Sequence, residues 1–182
     1  MIPNADPRPP TGRRRRERRR RRPHLALALA LALSSGCGGT DEGTIASSGT
    51  QPLAGLPTGT LTIDAQGGEV TFEVWIAETS ESRQRGLMLV ERMDAENGMV
   101  FLFAESTDGP FWMKDTLIPL SIAFWDREGT IVGVLDMQPC QSDPCPLYSP
   151  GASYVGAVEV NLGALGAAGV AAGDSVELRR DE

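Results

Sequence analysis

FWMKDTLIPLSIAFW, residues 111 to 125, is the densest apolar and aromatic stretch outside the N-terminal leader. It holds two of the three tryptophans, a lysine beside an aspartate, and a proline between two short apolar runs. Leu120, Ile122 and Phe124 alternate with Ser121, Ala123 and Trp125, the two-residue period of a strand that sends successive side chains to opposite faces of a sheet. Pro119 cannot donate to a ladder and belongs at a strand edge or bulge. Phe111 to Met113 reads as a second, shorter strand, and Lys114-Asp115-Thr116 interrupts the apolar pattern between the two.

Working outward, Asp126 to Gly129 is a hairpin loop and Thr130 to Met137 its partner strand. Upstream, Thr60 to Ala65 and Glu69 to Ala77 form a hairpin about Gly67-Gly68, with Val70, Phe72, Val74 and Ile76 sharing one face. Thr79 or Ser80 caps a short helix through Arg85, with Arg83 and Arg85 in its last turn and Gly86 just beyond. Met99 to Phe103 is apolar at every position, the pattern of a strand buried on both faces. Downstream, Tyr154 to Asn161 and Ser175 to Arg179 read as strands, and the Gly/Ala-rich stretch 162–173 has room for one short helix. About eight short strands with one or two short helices predict a mainly β domain, a compact antiparallel β-sandwich or open barrel.

The N-terminal part is of another kind. Ten of the 17 basic residues fall within the first 22 positions, and an apolar run, Leu25 to Leu33, follows them. Ser34, Ser35, Gly36 and Cys37 come next. A positive region, a short apolar region and a small-residue cleavage site describe a secretory signal peptide over 1–36. The apolar run is about half of what a transmembrane helix needs. Cys37 resembles the lipidated cysteine of bacterial lipoproteins, although Ser34 stands where an apolar residue is usual. Gly38 is not the aspartate that favours inner-membrane retention, so an outer-membrane anchor facing the periplasm is expected, with plain secretion the alternative. Residues 37–58, rich in Gly, Ser, Thr and Pro, read as a flexible tether to a domain spanning 59–182.

From Cys37 onward seven basic residues face 22 acidic ones, a formal charge of 7 − 22 = −15. That balance opposes binding to nucleic acid. The only histidine, His24, lies in the leader. Cys140 and Cys145, five positions apart in an oxidising compartment, read as a disulfide. A zinc site would be short of ligands without a mature-chain histidine, so neither metal nor cofactor is expected.

Residues 72 to 178 resemble the bacterial and archaeal family known as domain of unknown function 192. RQRGLM at 83–88, GMVFLF at 98–103, FWMKDTLIPLSIAF at 111–124, Met137-x-Pro139, Tyr154, Glu159-x-Asn161 and Gly173-Asp174 carry the resemblance. It implies a β-sandwich of jelly-roll type and no established activity. The family usually has asparagine at the position of Asp115 and aspartate at that of Ser121. If a family site depends on that aspartate, it is altered here or Asp115 supplies the carboxylate; if the aspartate only bonds a turn, Ser121 can replace it.

The candidate ligand-binding residues are Arg85, Phe111, Trp112, Met113, Lys114, Asp115, Tyr154 and Glu159. Each also has a structural reading: Arg85 at a helix C-terminus, Lys114 on an exposed edge, Glu159 bonded to backbone or to Arg85, Trp112 packed under a loop. A noncatalytic envelope binding module, with an apolar wall of Phe111 and Trp112 beside polar Lys114 and Asp115, is the leading expectation, its ligand a saccharide or other envelope component. A partner-binding lipoprotein and a hydrolase using Asp115 with Glu159 are the alternatives.

Overall fold

The computed structural model describes residues 53 to 182. The expected signal peptide, Cys37 and the expected tether as far as residue 52 lie outside the described residues. The elements, in chain order, are β1 (Thr58–Ala65), β2 (Gly68–Ala77), α1 (Ser80–Arg85), β3 (Asn97–Thr107), β4 (Phe111–Trp112), β5 (Leu120–Trp125), β6 (Ile131–Met137), β7 (Leu147–Tyr148), β8 (Tyr154–Asn161), α2 (Ala164–Ala167) and β9 (Ser175–Arg180). Among the described residues, no helix is long and apolar enough to cross a membrane.

Seven strands form one sheet in the order β6-β5-β8-β3-β2-β1-β9, while β4 and β7 pair separately. The fold is mainly β with two short helices, as the periodicities predict. The sheet is mainly antiparallel, and β2 with β3 is its one parallel pair among the described residues. A parallel pair needs a crossover of a dozen or more residues, and the connection over 78–96, with α1 inside it, provides one. The edge strands meet at one end through an antiparallel bridge between Thr130 and Ser175. The sheet does not close into a barrel.

The alternation in β5 is realised residue by residue. Ala123 and Trp125 pack on one face with Leu61, Ile63, Phe72, Val74, Val158 and Val160. Leu120, Ile122 and Phe124 pack on the other with Met99, Phe101, Met113, Met137 and Tyr154. Every residue of β5 is therefore buried, because its sheet has an apolar layer on each side. Gly156 of β8 is required by this packing: a Cβ there would collide with the Trp125 indole. The second layer reaches further upstream than the pattern suggests. Leu53, in the stretch read as tether, is 1% exposed and belongs to it, and the Pro57 carbonyl accepts from Ile76 N–H at 2.8 Å.

Ser121 resolves one of the two departures from the family pattern. Its hydroxyl donates to Asp136 Oδ1 across the β5–β6 ladder at 2.5 Å. It also accepts from Gly163 N–H at 2.8 Å, in the turn that enters α2. Ser121 thus bonds a turn and borrows the neighbouring carboxylate of Asp136, so Asp115 is not needed in that place.

Candidate functional site

Three devices hold a groove between α1 and β4. The first is the helix itself. Thr79 is its N-cap, with a reciprocal capping box to Ser82 that satisfies two otherwise orphaned N–H groups. Arg83 then clamps the helix to the sheet. Its Nη1 donates to the Glu78 carbonyl at 2.6 Å and the Leu102 carbonyl at 2.9 Å, and its guanidinium lies 4.9 Å from the Phe103 ring centroid. Gly86 ends the helix at φ +48° against the Phe101 ring, and Leu87 and Val90 turn inward.

The second device is an aromatic cluster under β4. Phe111 meets Phe101 edge-on with centroids 5.0 Å apart, and Phe124 at 5.5 Å. Phe124 meets Tyr154 at 4.8 Å, and Tyr154 meets Phe103 at 5.4 Å. Such edge-to-face pairs each add about 0.5–1.5 kcal/mol beyond area burial. The Tyr154 hydroxyl donates to the Gly109 carbonyl at 2.5 Å, which pins the turn leading into β4. Burial, with the negative charge of Asp108 as a lesser cause, pushes its phenol up to about 12. Tyr154 is therefore a neutral structural donor at physiological pH.

The third device is the β4–β5 turn. Asp115 has φ +54° and Leu89 φ +62°, a left-handed conformation that aspartate and asparagine tolerate better than most residues. The two positions are joined, with Leu89 N–H donating to the Asp115 carbonyl at 2.9 Å. The asparagine usual at this position meets the same backbone demand. Asp115 is exposed and acts here through its main chain.

At the floor lies Glu159. It faces Met99 across the β8–β3 ladder and Ile122 across the β8–β5 ladder, and it is 4% exposed. Burial pushes its carboxyl up to about 8, and no hydrogen bond to a described residue offsets the loss of water. At neutral pH the group is mostly the protonated acid. It opens into a narrow cavity of about 30 Å³ shared with Arg85, Gly86, Trp112 and Thr116, enough for one small polar group. A shallower cavity of about 200 Å³, walled by Phe103, Phe111, Trp112 and Pro110, shares Arg83, Gln84, Phe101, Phe111 and Trp112 with it. The two are lobes of one groove.

Of the residues singled out from sequence, Arg85, Phe111, Trp112 and Glu159 line the narrow lobe, and Tyr154 lines the wider one. Trp112 is 47% exposed and pairs with Leu147 in the small sheet. Met113 is buried in the second apolar layer. Lys114 lies 3.9 Å from Asp143 with both side chains well exposed, a contact of little energetic weight. Asp115 and Lys114 are outside the lining of either lobe. Cys140 and Cys145 form a disulfide with Cα atoms 5.4 Å apart, closing the loop that delivers β7 to β4. The sequence did not single out Arg83, Gln84 or Thr116 as lining residues. The Arg83-x-Arg85 spacing at a capped helix end was the available signal for the first.

Two solved structures share the fold. One is a protein of Sinorhizobium meliloti 1021 provisionally described as a transcription regulator, 26% identical over 68% of this chain and 95% of that one, with a TM-score of 0.62. The other is a protein of unknown function from Novosphingobium aromaticivorans DSM 12444, 28% identical over 69% and 89% of the two chains, with a TM-score of 0.63. No curated protein matches. Residues 61–178 match the family model described as "Uncharacterized ACR", domain of unknown function 192, and the chain belongs to that family.

Proposed function

We propose that this is a noncatalytic binding domain of the cell envelope, exported by its leader and tethered through lipidated Cys37, with the α1–β4 groove as its ligand site. A saccharide or other envelope component is the ligand class. The observation that carries this is Glu159, a carboxyl almost wholly covered by protein, with no hydrogen bond to any described residue, whose oxygens face the floor of an open groove. An acid so placed costs stability unless something bonds it, and an exposed tryptophan beside it offers a flat apolar wall for a sugar ring. The alternative, a carboxylate-dependent hydrolase, would use the same raised Glu159 as general acid. It needs a second carboxylate in reach, and among the described residues Glu159 is the one carboxylate lining the groove. A DNA-binding role of the kind a transcription regulator needs is opposed by the formal charge of −15 beyond the leader.

Trp112 supplies the test. Titration of the full chain with soluble cell-wall oligosaccharides is expected to shift tryptophan emission, and the shift is expected to vanish in Trp112→Leu. An unchanged emission up to about 10 mM, a range in which even a weak site of millimolar Kd would fill, contradicts the proposal.

A further inference from the structure

Resting on that reading, we infer that the groove selects a ligand bearing a carboxylate, held between the Glu159 carboxyl and the Arg85 guanidinium while the body of the ligand lies against Trp112 and Phe111. Among the described residues seven are basic and 20 acidic, yet the lining of the groove reverses that balance with Arg83, Arg85 and a single carboxyl. Arg83 is committed to two carbonyls. Arg85 is exposed and makes no ion pair with any described residue, so its five donors are available to a planar anion.

Size narrows the choice further. The lobe ending on Glu159 admits a group of carboxylate or hydroxyl dimensions and excludes a ring. The wider lobe beside it is aromatic and suits the ring from which that group projects. A cationic group in the narrow lobe would meet Arg85. A carboxylate meets opposite charge there, provided Glu159 does not repel it. Burial leaves Glu159 mostly protonated at neutral pH, and a carboxylic acid kept neutral donates a hydrogen bond to an oxyanion. The charged groups that line the groove with it are Arg83 and Arg85, and the strands flanking it present Met99 and Ile122. Ionisation of Glu159 would place two like charges together, so affinity falls as pH rises through about 8.

The test uses paired ligands that differ in an acid group, N-acetylmuramic acid against N-acetylglucosamine and glucuronate against glucose, followed by Trp112 emission of the full chain. The acids are expected to bind at least about tenfold tighter at pH 6.5 and to weaken between pH 7 and 9. Glu159→Gln retains a donor, so it is expected to bind the acids with no such pH dependence. Arg85→Ala, at an exposed helix end, is expected to lose the preference for acid. Equal binding of acid and neutral partners overturns the inference and leaves the groove as a ligand site. Absence of any change with all four probes up to about 50 mM overturns both.

Discussion

Raising the pH from 5 to 9 is expected to destabilise the folded domain by roughly 4 kcal/mol, most of it lost before pH 8.5. The cause is Glu159. In the unfolded chain its carboxyl gives up its proton near the ordinary 4.5, and in the folded domain burial holds the proton to about 8. Between those values the native state binds more protons than the unfolded state, so each step up in pH favours unfolding. The contribution is fully present below about 4.5 and is gone above about 8. From pH 5 the titration covers 8 − 5 = 3 pH units, and about 1.4 kcal/mol per unit gives roughly 4 kcal/mol. The other shifted groups act elsewhere. Glu78 is lowered by its hydrogen bond and charge contact with Arg180, so its stabilising effect is lost on the acid side, as pH falls below the ordinary carboxylate value. Tyr154 titrates well above this window. Urea unfolding of wild type and Glu159→Gln from pH 5 to 9 measures the effect. The wild-type slope is expected to be absent in the variant, and parallel profiles would show that Glu159 is not the group responsible.

Phe124→Ala is the substitution with the next largest expected cost, about 3–5 kcal/mol for a fully buried ring. Phe124 is wholly inaccessible and supports Phe111 and Tyr154 in edge contacts. Removing it leaves a cavity beneath β4, and Phe111 loses the ring it rests on. The loss should therefore appear twice, as a lower urea midpoint and as weaker binding in the groove that Phe111 lines. Phe124→Leu keeps most of the volume and is expected to cost under about 2 kcal/mol. A cost below 1 kcal/mol for the alanine variant would show that the aromatic cluster is not what holds β4 in place.

Local chemistry explains which features could be read in advance. The alternation in β2 and β5, the apolar run of β3, the capped helix closed by Gly86, and the Cys140–Cys145 bridge all depend on neighbours within a few residues. The sequence therefore displays them directly. The parallel pairing of β2 with β3 depends on where the crossover over 78–96 returns the chain, which no period encodes. Strand β7 leaves no trace in the sequence, because two residues in a proline-rich loop carry no periodicity. Their pairing with β4 is a tertiary matter.

The site is the harder case. On β8, Glu159 shares a face with Ala157 and is opposite Val158 and Val160, so the pattern alone places it on an outer, wet face. That face is instead covered by the Gly86–Met88 segment and by β4. The same covering explains why Asp115, adjacent in sequence to the candidate site, contributes a backbone turn, and why Met113 packs inward.

Chemical-shift mapping with N-acetylmuramic acid on the isotopically labelled full chain locates the ligand, because it reports every amide and the three indole N–H groups at once. Perturbations are expected to concentrate at Gln84 to Met88, at the Trp112 indole and around Glu159. Perturbations confined to the larger cavity of about 570 Å³ bordered by Leu53, Trp75 and Met93, with Glu159 and Trp112 unmoved, would contradict it.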